Sequence, residues 1–236
     1  VPDYGDAVIG AGAGDSEALR SGYSPEELIS LAVENMPPDF APGEPGKWNY
    51  SNTGYILLGM VLEAASGQSY ADLLQDRIFS PLGMTNTELL EGVPYLDSIV
   101  EGYLVFPYDI NTTEWNGTQG WAAGGIISTA ADMAKFARAL MTGEIFSDPA
   151  TLDVMTDFIE VSENQAVGNV GGTGYGTGLI EFAPGLWGHR GQTIGFTSIV
   201  AMDPAQDFLL IALTNSAESS VGSEQQLMGH FLQLDQ

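Results

Sequence analysis

A single change of hydrophobic period divides this chain. Up to about residue 160, apart from an irregular, aromatic-rich middle from Glu91 to Gln119, its apolar residues recur at three and four, and after Gly168 they come in short alternating or continuous runs broken by turn residues. The first pattern is that of helices and the second that of strands. "YSPEELISLAVENM" begins a helix at Pro25, with Ser24 as N-cap and Glu27 completing a capping box, and sets Leu28, Leu31 and Ala32 on one face. Beyond a Pro/Gly loop, Ile56, Leu57, Met60, Val61, Ala64 and Ala65 repeat at three and four while Leu58 and Leu62 fill other faces. That pattern predicts a central helix, covered nearly all round and ended by Gly67. Ser69 and Asp72 cap a further helix that Pro81 stops, Ser128 or Thr129 caps one closed by Gly143, and "SDPATLDVMTDF" holds a short one. Val1–Arg20 reads as loop. "YGTGLIEF", "LWGHRGQ", "GFTSIVAMD" and "DFLLIALTN" read as antiparallel strands, with "DPAQD" as the turn between the last two and "VGSEQQLMGHFLQL" as a helix lying on the sheet. Helices followed by a meander give an α+β architecture rather than alternating β-α units. With no repeat and no clear linker, residues 1–236 are expected to form a single domain, with a helical lobe over about 20–160 and a sheet lobe over about 170–236.

Charge narrows the partners. The 236 residues carry 31 acidic against 6 basic side chains, a formal net charge of -25, and the acids are scattered along the chain. Such a surface repels polyanions, which excludes nucleic acid and an anionic membrane surface as partners. Lys47 and Lys135 are its two lysines, so the surface is either one kept soluble in high salt by carboxylates or that of an ordinary acidic extracellular protein. Cysteine is absent, and no run of about 18 apolar residues occurs that could form a transmembrane helix. The chain begins "VPDYGD" without a methionine or a signal peptide, which is the expected look of a stretch starting inside a longer gene product.

Two places could carry chemistry. Tyr50 and Asn52 stand two apart at the mouth of the apolar helix, so on an extended segment they point to the same side. A tyrosine serves as a base only when positive charge pulls its pKa well below about 10, and an asparagine amide both donates and accepts. The pair suits acyl transfer; the structural alternative is aromatic packing with Asn52 as the helix N-cap. His189 stands on a predicted strand with Trp187 and Gly191 on its face, where it could hydrogen-bond Tyr50 or a substrate carboxylate. Gly191 leaves room for another backbone to approach the strand. His230 has no polar company. The glycine-dense "GGTGYGTG" lacks the helix and lysine of a phosphate cradle.

The stretch "PGEPGKWNYSNTGYILLGMVLEAASGQSYADLLQDRIFSPLGMTNTEL" resembles the serine β-lactamase-like family, which includes class C β-lactamases, D-Ala-D-Ala carboxypeptidases, D-aminopeptidases and related esterases. "WAAGGIISTAADMAKFARALMTG", "GYGTGL" and "WGHRGQTIGFTS" continue the resemblance from about residue 20 onward. It implies the penicillin-recognising serine hydrolase fold and an acyl-enzyme reaction without metal or organic cofactor. By resemblance Tyr50 and Asn52 belong to the motif that moves the proton, His189 and Gly191 to the strand flanking the acyl site, and Trp121 and Gly125 to a segment lining the cleft. A small-molecule or peptide substrate and a secreted or periplasmic location follow from the same likeness. Histidine in place of the family's strand lysine favours a D-amino-acid peptidase or esterase over a true β-lactamase, and the reading as a whole is of a carboxypeptidase-like or esterase-like enzyme.

Two departures bear on activity. No Ser-x-x-Lys occurs in the chain, so the acylated serine of the family is absent from it, and this polypeptide alone is expected to be inactive or a binding module that keeps the fold. The expected consequences are an open strand edge and an open core face, and hence self-association or pairing with the missing N-terminal segment. Arg190 is the second departure. If strand alternation holds, its side chain leaves the cleft; turned inward, it could clamp a substrate carboxylate.

Overall fold

The computed structural model describes residues 1–5, 8, 16–94, 99–105, 110–161 and 172–217. Helices α1 (Ser16–Arg20), α2 (Pro25–Asn35), α3 (Asn52–Ser66) and α4 (Tyr70–Leu74, continued by a π-helical turn through Phe79) come first. Four two-residue strands follow, β1 (Glu88–Leu89), β2 (Tyr103–Leu104), β3 (Ile110–Asn111) and β4 (Ile126–Ile127), with α5 (Trp121–Gly124) before the last of them. After α6 (Ala130–Met141) and α7 (Ala150–Met155) the chain turns to sheet: β5 (Ile159–Glu160), β6 (Gly174–Tyr175), β7 (Ile180–Ala183), β8 (Leu186–Thr193), β9 (Phe196–Asp203), β10 (Phe208–Thr214) and β11 (Ser216–Ala217). This is an α+β fold.

The helix starts follow local chemistry. Ser24 and Glu27 make the reciprocal capping box of α2, Ser69 caps α4, and Thr129 caps α6 by accepting from the Asp132 N–H. Gly67 ends α3 with φ 71°, a left-handed conformation that a residue with a Cβ adopts at a cost. The loop expected over Val1–Arg20 is corrected by α1. The carbonyls at its C-terminal end take protons from distant amides: Gln119 Nε2 donates to Ala18 and Ser21, and Asn116 Nδ2 donates to Arg20. A one-turn helix is thus closed by partners that local sequence does not contain.

Strands β5 to β10 form one antiparallel sheet in strict sequential order, a meander. Alternation along β9 divides its side chains between two cores. Ile199 and Ala201 join Ile180, Phe182, Leu186 and Tyr175, while Val200 and Met202 join Trp187 beneath Ala137 and Leu140 of α6. Gly188 is squeezed between β8 and β9, since a Cβ there would lie 1.9 Å from the Val200 carbonyl oxygen.

The two sides of α3 differ. Ile56 is fully buried toward α2, and Gly59 admits α5, a Cβ there falling 2.7 Å from that of Ala122. On the other side Leu57, Leu58, Val61 and Leu62 are exposed, Val61 by 61%. The expectation of burial nearly all round is corrected: an apolar period shows that a face favours cover, not that a given stretch of chain supplies it. The predicted helix "VGSEQQLMGHFLQL", with His230, lies outside the described residues. No described helix is long and apolar enough to cross a membrane.

Candidate active site

The loop before α3 delivers Tyr50 and Asn52 to the helix start. Ser51 is the N-cap and Asn52 the first helical residue, which corrects the alternative of Asn52 as cap. Ser51 makes no side-chain cap bond to the helix. Residues at the beginning of the chain supply what it omits. The Asn52 N–H donates to Asp3 Oδ2 at 2.9 Å, Thr53 Oγ1 donates to the Pro2 carbonyl at 2.7 Å, and the Tyr4 N–H donates to Thr53 Oγ1 at 3.1 Å. A carboxylate at a helix N-terminus is also favoured by the helix dipole.

Tyr50 and Asn52 do share a side. The Tyr50 hydroxyl donates to Asn52 Oδ1 at 3.1 Å. Burial pushes the phenol above its usual pKa, and the nearby Tyr55 and Asp3 push the same way. Tyr50 in this chain is therefore a protonated donor rather than a ready base.

Strand β8 brings up the other wall. Trp187 and His189 lie opposite Met202 and Val200, on one side of the strand, while Arg190 lies opposite Ile199 on the other. Trp187 enters the core beneath α6. His189 instead meets aromatic rings, with centroids 6.2 Å from Tyr50 and 6.0 Å from Tyr175. Its hydrogen bonds run to Tyr175 and to the Arg190 carbonyl, and not to Tyr50, one of the two partners considered from sequence. Nδ1 lies 2.6 Å from that carbonyl oxygen, which only accepts, so Nδ1 carries the proton. Nε2 of the neutral ring then accepts from the Tyr175 hydroxyl at 3.1 Å, and Tyr175 accepts from Tyr55 at 2.5 Å. Burial lowers the imidazole pKa, the Arg190 carbonyl opposes this, and the Arg190 charge adds to it. The net direction favours the neutral ring.

Gly191 is exposed toward the end of β8. Trp121 is packed edge-on against Tyr70, ring centroids 5.4 Å apart, and over Gly59 of α3. Its φ of 34° is unusual for a bulky residue and is held by that packing. Gly125 ends α5 where a Cβ would press within 2.9 Å of the Trp121 nitrogen. The segment approaches β8 through Gly124, whose Cβ position is 3.9 Å from Thr193 Cγ2. So the structure brings Tyr50, Asn52 and His189 together, sets Gly191 farther along β8, and holds Trp121 and Gly125 in the helical part. Asp3, Tyr55 and Tyr175 were not picked out from sequence. Tyr175 does lie in "GYGTGL", one of the segments that carry the family resemblance. Among the described residues no group of three or more His, Asp or Glu side chains is placed to hold a metal ion.

Comparison with known proteins identifies the family. The model of the beta-lactamase family matches residues 9–233, and the chain belongs to that family. It is 33% identical over 138 residues to penicillin-binding protein 4* of Bacillus subtilis (strain 168), covering 52% of this chain and 30% of the relative. To a putative D-alanyl-D-alanine carboxypeptidase of Escherichia coli (strain K12) it is 25% identical over 235 residues, 86% of this chain and 52% of the relative. The chain thus spans about half or less of the length of these curated relatives. Among solved structures, a D-stereospecific amidohydrolase from Streptomyces sp. superposes with a TM-score of 0.81 at 27% identity, covering 97% of this chain and 67% of that one.

Proposed function

We propose that this chain carries the proton-handling and substrate-orienting side of a serine acyl-transfer site that acts on amides or peptides of D-amino acids. The observation that carries the reading is the meeting of Tyr50 and Asn52, from a loop-to-helix junction, with His189, from a strand far away in sequence. In the reaction Tyr50 would pass the proton between nucleophile and leaving group, Asn52 would donate an amide proton to the acyl carbonyl, and the substrate backbone would lie along β8 past Gly191. Trp121 and Gly125 would shape the entrance, and Arg190 would act through its carbonyl on His189. A secreted or periplasmic setting suits such substrates.

The neutral state of His189 supports an uncharged substrate end. A strand lysine would offer a cation to a terminal carboxylate; a neutral imidazole whose nitrogens are both engaged does not. Amides and esters fit better than free-acid peptides, and the likeness to a D-stereospecific amidohydrolase points the same way.

The reading assigns no acyl-enzyme to the chain by itself, since the 236 residues contain no Ser-x-x-Lys and burial holds the Tyr50 phenol above its usual pKa. That absence also favours a second reading, a binding module that keeps the site without chemistry. The exposed side of α3 supports pairing with a second copy or with a segment bearing the serine. In NMR titrations, N-acetyl-D-alanine amide should move the Asn52 and Gly191 signals at lower concentration than its L-enantiomer or D-alanyl-D-alanine. Equal response to both enantiomers, or none, would remove the substrate assignment. Stoichiometric labelling of the isolated chain by a fluorophosphonate would show a nucleophile where none is assigned. A soluble monomer that binds no hydrophobic dye would remove the pairing.

A further inference from the structure

We propose that Asp3 is the positioning residue for Asn52: its carboxylate holds one amide proton of Asn52, which commits the Asn52 oxygen to Tyr50 and leaves the second amide proton for a substrate carbonyl. The last clause rests on the function proposed above; the first two stand on geometry alone.

Both oxygens of Asp3 are in use. Oδ1 accepts from the Gly5 N–H at 2.6 Å, and Oδ2 accepts from the Asn52 N–H and from Asn52 Nδ2, each at 2.9 Å. An ionised carboxylate only accepts, so the atom of Asn52 that faces it has to be the nitrogen. The oxygen is thereby turned to Tyr50, whose hydroxyl donates to it at 3.1 Å. Proton direction is then set along the whole line, from the Tyr50 hydroxyl to the Asn52 amide to the Asp3 carboxylate. Rotating the amide by half a turn would set oxygen against the carboxylate, while the Tyr50 hydroxyl, which can also accept, would tolerate the NH2; the choice is therefore made by Asp3. Without Asp3 the two rotamers differ little, and one of them would aim an acceptor at a substrate carbonyl.

Asp3 itself is well held. Its neighbour Tyr4 is buried and donates through its hydroxyl to the Gln119 carbonyl at 2.7 Å, and Pro2 accepts from Thr53. Gly5 leaves space for the carboxylate, since a Cβ there would lie 2.9 Å from Asp3 Oδ1. Asparagine could not replace Asp3 without loss: either its NH2 would face the Gly5 N–H or it would face the two Asn52 donors.

The test uses the isolated, 15N-labelled chain. In the parent, the two Asn52 Nδ2 protons should be widely split, with one protected from exchange with water. Asp3→Ala should collapse the splitting, raise the exchange rate about tenfold or more, and weaken N-acetyl-D-alanine amide binding about tenfold, the effect of one lost hydrogen bond to a charged group. The His189 and Tyr175 signals should stay in place, and Asp3→Asn should fall between. Gly5→Ala, whose Cβ would press on Asp3 Oδ1 at 2.9 Å and reach only ordinary contact distance, 3.5 Å, from Asn52 Nδ2, should shift the same Nδ2 signals and serves if Asp3→Ala fails to fold. A mere helix cap would lower the melting temperature yet leave the Nδ2 splitting and ligand affinity unchanged, and that result overturns the proposal. If the parent binds no D-amide, the function reading fails while the Nδ2 signals still decide the role of Asp3.

Discussion

The junction at Tyr50–Asn52 and the strand at His189 face each other, yet they are held in different ways. On the junction side the hydrogen bonds end on the carboxylate of Asp3, a residue from the beginning of the chain. On the strand side they end on the carbonyl of Arg190, the next residue, after passing through the hydroxyls of Tyr55 and Tyr175. One wall is thus oriented by a single charged group and the other by packed rings and strand clearance. The junction should respond to loss of charge and the strand to changes of volume.

The strand side should be the easier to break by volume. Gly188→Ala places a Cβ where the Val200 carbonyl oxygen stands, so β8 has to leave β9, and a cost of about 3 kcal/mol or more is expected in urea unfolding. A cost under about 1 kcal/mol would mean the two strands have slack. On the junction side the comparable break is Ile56→Ala, expected to cost about 2–5 kcal/mol, whereas Val61→Ala on the open side of α3 should stay within about 0.5 kcal/mol. Equal costs would show that the open side is covered in solution.

Removing one hydroxyl sharpens the contrast. Tyr175→Phe leaves His189 Nε2 and the Tyr55 hydroxyl without their mutual partner, for a loss of about 1–3 kcal/mol, and should leave the Asn52 signals unmoved. Movement of Asn52 as large as that of His189 would join the two walls into one unit. A smaller effect lies in pH. The folded His189 pKa is below its usual value near 6.5, so between the two values the unfolded chain binds more protons and stability rises with pH. Acidifying from about pH 6.5 should therefore weaken the fold, less so in His189→Gln. Asp132, buried and held below its usual pKa chiefly by its hydrogen bond from Lys135, adds a second loss once pH falls below about 4. Parallel curves for parent and His189→Gln above pH 5 would contradict a neutral histidine.

Much of the fold was legible because its signals are local. The Ser24–Glu27 box, the Gly67 stop, the Thr129 cap and the meander all follow from residues within a few positions of each other. The common side of Tyr50 and Asn52 was legible for the same reason. Asp3, Tyr55 and Tyr175 were not, because each acts on a residue that only tertiary folding brings near. The bare side of α3 was misread because hydrophobic period reports a face that favours cover and says nothing of what covers it. Of the two partners considered for His189, Tyr50 and a substrate carboxylate, the first is not taken up, on a related point: the ring is satisfied within its own sheet, by Tyr175 and by the backbone of Arg190.

The central claim is that two polarised walls meet, with a neutral His189 on the strand side whose proton sits on Nδ1. The 15N resonances of the His189 ring test it most directly. At pH 7 the account predicts a protonated Nδ1 and an unprotonated, hydrogen-bond-accepting Nε2, with coupling of the ring to Tyr175 lost in Tyr175→Phe. A ring protonated at Nε2 alone, or at both nitrogens, would contradict it.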